Sequence, residues 1–253
     1  MPLEILTVPC LSDNYAYLIR GDDGVCLVDA PEAGPIVDAL NAKGWSLDVV
    51  MLTHHHWDHV DATEDLRRRY GCKVTGPKAE KDKLPPLDWS VSEGSNGGNG
   101  DAYTEILDVP GHTLGHIAFH FPRAKALFSA DSLMALGCGR LFEGTPEMMH
   151  KSLQKMAALP PETMIYSGHE YTLGNARFAV TIEPDNQALQ ARVAKITAAR
   201  EAGQPTVPVT LAEELATNPF LRCHIPAVQA AVGLEGASSE QVFAEVRARK
   251  DSF

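Results

Sequence analysis

Residues 53–59 read T-H-H-H-W-D-H, four histidines and an aspartate in seven positions. Neutral imidazole and carboxylate are common ligands of zinc and similar divalent metals. The preceding segment, Asp48-Val49-Val50-Met51-Leu52-Thr53, is apolar and β-branched, the pattern of a buried strand. The cluster therefore stands where a core strand ends and a loop begins. Such a loop folds several side chains back onto one point, which a continuing strand does not. His54 and His56, two apart, project to one side of extended backbone and His55 to the other. Asp58 and His59 come round on a turn, so His-x-His-x-Asp-His offers two pairs of ligands. The plainer alternative is a surface histidine patch.

More metal-type residues stand on similar ground. His112 lies in Pro110-Gly111-His112-Thr113-Leu114-Gly115-His116, after the apolar run Ile106-Leu107-Asp108-Val109. Asp131 closes Ala126-Leu127-Phe128-Ser129-Ala130-Asp131, and His169 closes Thr163-Met164-Ile165-Tyr166-Ser167-Gly168-His169. Each follows a strand-like run beside Gly or Ser. That recurrence describes the rim of a β-scaffold whose loops converge on one site. Any one of them alone reads as a turn residue or a satisfied core histidine.

These segments resemble the metallo-β-lactamase superfamily and, within it, the glyoxalase II (hydroxyacylglutathione hydrolase) family. The likeness includes Asp13-Asn14-Tyr15, T-H-H-H-W-D-H, Gly111-His112-Thr113 and Phe128-Ser129-Ala130-Asp131. It continues through Cys138-Gly139-Arg140, Gly168-His169-Glu170-Tyr171-Thr172, Glu183-Pro184, Asn218-Pro219-Phe220-Leu221-Arg222 and Arg247-Ala248-Arg249-Lys250-Asp251. The histidine motif is specific only to the superfamily; the second half of the chain points to glyoxalase II. The resemblance implies one metal site of His54, His56 and His112, a second of Asp58, His59 and His169, and Asp131 bridging them. It implies two divalent ions, zinc first, with iron or manganese suited to the same donors. Asp58 would bind metal and orient the attacking hydroxide. Family members often carry Gly just after His59-Val60, where this chain has Asp61 and Ala62; Asp61 is expected to cap the next helix.

The resemblance also implies the substrate, a glutathione thioester such as S-D-lactoylglutathione, cleaved to glutathione and a 2-hydroxy acid as the second step of methylglyoxal removal. Paired metals make hydroxide available near neutral pH and stabilise the oxyanion at the carbonyl. A thiol pKa of about 8.5 lets glutathione leave as thiolate without a dedicated acid. Arg247 and Lys250 would hold the glycine carboxylate, with Arg140 and Tyr171 as further contacts. Phe142 stands where some members have Tyr, losing a hydroxyl hydrogen bond of about 1 kcal/mol. Without the resemblance, Arg247, Arg249 and Lys250 read as a solvated helix face complementing the helix dipole.

The wider sequence is compatible with this reading. A chain of 253 residues with 44% hydrophobic content builds one large domain or one domain with a small partner. Its net charge of −11 argues against a general nucleic-acid binder and for a soluble monomer. The five cysteines form no C-x-x-C, which suggests free thiols in a reducing cytoplasm; Cys26 reads as core. The amino end, Met1-Pro2-Leu3-Glu4-Ile5, has neither a basic region nor a following apolar stretch, so no signal peptide is expected. No apolar run reaches the roughly 18 residues of a membrane span.

The expected fold is α/β (α+β), an αββα sandwich over 1–170 followed by a small all-helical domain over 171–253 that binds the glutathione substrate. Strands are expected at 3–8, 15–20, 25–29, 49–53, 73–75, 104–109, 117–121, 126–130 and 164–167. Helices are expected at 34–43, 61–70, 147–158, 187–201, 211–216, 226–232 and 239–250, with 204–208 as a linker. Gly94 to Gly100 lacks the Lys-Ser or Lys-Thr of a phosphate loop and reads as a flexible turn. His55, His120, His150 and His224 are expected to be structural or solvated, and His116 to support a ligand. Two rival functions stand beside the hydrolase: an iron-dependent glutathione persulfide dioxygenase, and a non-catalytic binding protein on the same scaffold.

Overall fold

The computed structural model describes residues 2–253; Met1, the first residue of the amino-terminal segment considered above, lies outside them. The chain divides into two compact units. One holds the residues up to Asp108 together with Leu114–Ser129, the other Val109–Thr113 together with Ala130–Phe253. The expected division at residue 170 follows the sequence; by packing, residues 130–170 lie in the same unit as the helical tail.

In the first unit β1 (Glu4–Cys10), β2 (Asn14–Gly21) and β3 (Gly24–Val28) form an antiparallel meander. The chain then crosses through α1 (Ala33–Lys43) to β4 (Val49–Met51), and through α2 (Trp57–Val60) and α3 (Thr63–Tyr70) to β5 (Lys73–Pro77) and β6 (Trp89–Val91). Strands β3 to β6 pair in parallel. Helices α1 and α3 end on left-handed glycines, Gly44 at φ 65° and Gly71 at φ 67°, which turn the chain back toward the sheet. Leu18, Leu27, Val50 and Val74 form one row across β2 to β5. They belong to the same buried cluster as Ile36, Leu40 and Leu66 of α1 and α3. A second, antiparallel group follows: β7 (Asn96–Gly97), β8 (Thr104–Asp108), β9 (Ile117–Phe121) and β10 (Ala126–Ala130).

Asp61 does not cap α3 as expected. A short helix starts earlier, at Trp57, and Asp61 ends it, donating its N–H to the Trp57 carbonyl. Ala62 then gives its N–H to Ala30 at 2.9 Å, which breaks the helix before α3 begins.

The second unit contains the hairpin β11 (Leu133–Met134) and β12 (Gly137–Cys138), then α4 (Pro146–Ala157) and β13 (Met164–Ser167). Next come α5 (Thr172–Ile182), α6 (Gln187–Glu201), β14 (Val209–Thr210), α7 (Leu211–Thr217), α8 (Pro226–Val232) and α9 (Ser239–Asp251). Thr210 and Ser238 close capping boxes on α7 and α9, which explains why those starts were legible. Helix α5 was not expected: Tyr171 precedes it without a side-chain cap and Gly174 sits in its first turn. Among the described residues no helix is long and apolar enough to cross a membrane.

Candidate metal centre

The first unit holds a compact cluster of metal-type side chains. Strand β4 stops at Met51, and the backbone of Thr53 turns to Asp29, whose Oδ1 accepts its N–H at 2.8 Å. Asp29 Oδ2 also accepts from the Thr53 hydroxyl at 2.8 Å and from His59 Nδ1 at 2.7 Å. The carboxylate has only acceptors, so His59 carries its proton on Nδ1. The same logic reaches His54. The Thr53 hydroxyl gives its one proton to Asp29 and so accepts from His54 Nδ1 at 2.9 Å, which places the His54 ring proton on Nδ1. His54 Nε2 lies 3.1 Å from His56 Nδ1, and His59 Nε2 lies 3.8 Å from Asp58 Oδ2. Asp29, His54 and His59 also form one metal-type cluster by distance. Both oxygens of Asp29 are already committed to Thr53 and His59, so it serves as the brace of the ligands.

Asn14, buried at the start of β2, steadies Asp58: its amide donates to the Asp58 carboxylate and to the Asp58 carbonyl, each at 3.0 Å. His55 lies beyond the end of β4, with Nδ1 2.8 Å from the buried Glu80 carboxylate. Glu80 in turn accepts from Gly115 N–H. His116 is fully buried and stacks on His54 at 4.6 Å, a support through ring packing. His120 is buried beside Glu105, and His150 packs against Phe243. Asp29 itself stands at φ 57°, a left-handed conformation costly for a non-glycine residue and held here by its three hydrogen bonds.

The second unit holds a cluster of its own. Asp131 follows Ala130, which is also left-handed at φ 41°. Its Oδ2 lies 3.4 Å from His112 Nε2 and 3.2 Å from His169 Nε2. His112 Nδ1 donates to the Arg140 carbonyl at 2.8 Å, which again fixes the ring proton on Nδ1. Imidazole nitrogens and a carboxylate oxygen face one another there, the donor types a divalent cation takes. Two glycines make room. A Cβ on Gly139 would run into the Asp131 carbonyl and sit 3.0 Å from His112 Nδ1; one on Gly111 would meet Met149 Cα at 2.9 Å. The donor set in both units is imidazole nitrogen and carboxylate, which fits divalent zinc, iron or manganese.

The exposed Phe142 ring lies edge-on to His112 at 5.3 Å, and the Tyr171 ring stacks on His169 at 4.6 Å. Arg140 is largely exposed, with Nε 3.6 Å from Asp251. Lys250 lies 5.5 Å above the Phe178 ring and 5.2 Å from the Phe253 ring. Burial, then Arg247 and Arg140, pull its pKa below the usual lysine range. Arg247 is buried: it donates to the Cys138 carbonyl at 3.0 Å and to Asp251 at 2.8 Å, over the Phe220 ring. Arg249 binds the Ala231 and Val232 carbonyls at the end of α8.

The motifs of the tail form a frame. Asn218 donates to the Met134 and Gly137 carbonyls of the β11–β12 hairpin and to the fully buried Glu214. Arg222 grips Glu183 with two hydrogen bonds, 2.7 and 2.9 Å. Burial pushes Cys10 and Cys223 up to about 12, Cys26 and Cys138 up to about 11, and Cys72 upward as well, so none of the five described cysteines offers a ready nucleophile. Sequence reasoning missed Asp29, Asn14 and Glu80 as supports. The available signal was an acid closing the buried run Val25-Cys26-Leu27-Val28.

Residues 12–169 match the family model of the metallo-beta-lactamase superfamily, and residues 170–253 match that of the hydroxyacylglutathione hydrolase C-terminus. The chain is 61% identical to a hydroxyacylglutathione hydrolase of Ruegeria pomeroyi, covering 100% of each. It is 57% identical to one of Jannaschia sp., over 99% of this chain and 98% of that one. Among solved structures, ETHE1 from Myxococcus xanthus shares its fold at TM-score 0.64 and 22% identity, covering 100% of this chain and 99% of that one. A protein designated TTHA1623, in a di-iron-bound form, does so at TM-score 0.63 and 24% identity, covering 86% of this chain and 100% of that one.

Proposed function

The chain belongs to the hydroxyacylglutathione hydrolases of the metallo-β-lactamase superfamily, and we propose that its two half-sets of ligands serve one dinuclear centre that opens S-(2-hydroxyacyl)glutathione thioesters. His54, His56, Asp58 and His59 come from the first unit and His112, Asp131 and His169 from the second. The observation that carries this reading is the bracing of three of these imidazoles, each held through one ring nitrogen. In His54, His59 and His112 that nitrogen is held by Thr53, Asp29 or the Arg140 carbonyl. Bound divalent ions, zinc in our reading, supply hydroxide at neutral pH and a Lewis acid for the thioester carbonyl.

The protein's own residues do the rest. Asp29 fixes the tautomer and direction of His59, and Asn14 holds Asp58, which orients the nucleophile. Phe142 and Tyr171 offer exposed rings beside His112 and His169 for the substrate to pack on. Arg140 and Lys250 hold the glycine carboxylate of glutathione. Arg247 contributes by placing Asp251, which also lies near Arg140, and by fixing Cys138. Glutathione leaves as a thiolate. We further read the protein as a cytoplasmic monomer acting in methylglyoxal removal.

Metal analysis alongside turnover of S-D-lactoylglutathione tests the reading. Two divalent ions per chain and activity lost on chelation are expected. A single iron, with oxygen consumed on glutathione persulfide and no thioester cleavage, would return the dioxygenase.

A further inference from the structure

The two faces of the larger sheet in the first unit are packed very differently. Leu18, Leu27, Val50 and Val74 lie in the close-packed cluster shared with the helices. Their neighbours along the strands turn to the opposite side. There Ile19, Cys26, Val49 and Thr75, with Ile106 and Phe119 from β8 and β9, line a cavity of about 380 Å³. Cys26 is correspondingly half-buried rather than in the core. An apolar protein cavity of roughly 150 Å³ already takes up benzene, so this one has room for two fused rings.

The cavity is bordered by the β2–β3 turn and the glycine-rich segment, whose Asp23, Gly24, Gly97 and Gly98 line it. This is the end of the sheet where β3 and β4 begin, whereas the metal-binding loop leaves the other end of β4. Nothing occupies the space beyond Gly97 where a Cβ would point, so the glycine leaves that edge clear. The lining, among the described residues, includes no lysine or arginine; Asp23 is its one charged side chain. Asp23 is exposed and accepts the Asn99 N–H with Oδ2 at 2.8 Å, which ties the turn to the glycine segment. An anion entering here would meet a carboxylate and no compensating cation. A cation would meet a partner.

We propose that this cavity is a second binding site, for a small apolar molecule with a positive charge, its body between the sheets and its ammonium-type head at Asp23. The site is independent of the thioester chemistry.

Calorimetric titration of the full chain with 2-naphthylmethylammonium, 2-naphthalenemethanol and 2-naphthoate tests it. The ammonium should bind at one saturable site, about fivefold tighter than the alcohol, as expected for an exposed ion pair. Naphthoate should bind weakest. Asp23→Asn should bring the ammonium to the level of the alcohol. Ile106→Trp, which fills the cavity, and Gly97→Leu, which narrows its entrance, should each abolish binding, with thermal melting to confirm folding. If Ile106→Trp fails to fold, Gly97→Leu still decides the matter. Thioester turnover should be unchanged by saturating ammonium. The proposal is overturned by absence of saturable binding, by binding that survives Gly97→Leu, by naphthoate binding as well as the ammonium, or by inhibition of turnover.

Discussion

The two units hold their metal-type ligands by different means. In the first, side chains brace side chains: Asp29, Thr53 and Asn14 fix His54, His59 and Asp58, and all are buried or nearly so. In the second, the main chain does the work: the Arg140 carbonyl holds His112, and Gly139 and Gly111 give the backbone room to close in. A side-chain brace fails when its polar atom is removed, whereas a main-chain brace fails when a Cβ is added.

The largest effect should come from Asp131→Ala, since the Asp131 carboxylate lies within 3.4 Å of both His112 and His169. Metal content and turnover should fall together, turnover by roughly a thousandfold or more. Near-normal activity with two bound metals would falsify the bridging role. Gly139→Ala is the main-chain counterpart; it should also lose metal while every ligand remains, and full retention would show that the glycine merely spans a loose loop.

Asp29→Asn sharpens the contrast. Shape is kept, but the acceptor pair that sets the His59 proton is altered, and metal affinity should fall about 10- to 100-fold by competitive chelation. Unchanged affinity would mean that the first half-site does not depend on its brace.

In the tail, Lys250→Ala should raise KM for glutathione thioesters about 10- to 100-fold with kcat less affected. A thioester lacking the glycine carboxylate should show no difference between the variant and the native chain. The Lys250 pKa is lowered, so its charge is lost as pH rises through a value below the ordinary lysine range. KM should therefore climb on the alkaline side in the native chain and stay flat there in Lys250→Ala. Arg247→Ala should in addition lower Tm, because its buried hydrogen bonds to Cys138 and Asp251 go with it; a KM effect without any loss of stability would make Arg247 a direct substrate contact instead.

The smallest effect concerns parity. His55→Ala should keep its metal, while His54→Ala and His56→Ala lose it. Its cost is stability, about 1–3 kcal/mol, because buried Glu80 loses a partner. Equal metal loss in all three variants would refute the parity argument.

These predictions rest on features of unequal legibility. His54, His56, Asp58 and His59 stood out because they are contiguous, and alternation alone separated His55 from them. His112, Asp131 and His169 were visible only as residues closing apolar runs, and their grouping needed the resemblance. Strand patterns survived well because apolar alternation is local. Helix α5 did not announce itself, since its start lacks a cap and contains Gly174.

What the sequence determined by itself was the donor chemistry, the strands that carry it and the capped helices of the tail, all set by neighbours within a few positions. The tertiary structure decided what no local pattern encodes. Asp29 reaches Thr53 and His59, Asn14 reaches Asp58 across 44 positions, and Arg247 turns inward to Cys138 across 109. It also decided that one face of the larger sheet packs closely under helices while the other borders a cavity. The reason is physical. A buried polar atom must find its partner wherever the folded chain brings one, and the free energy of that pairing depends on distance in space, not on separation along the sequence.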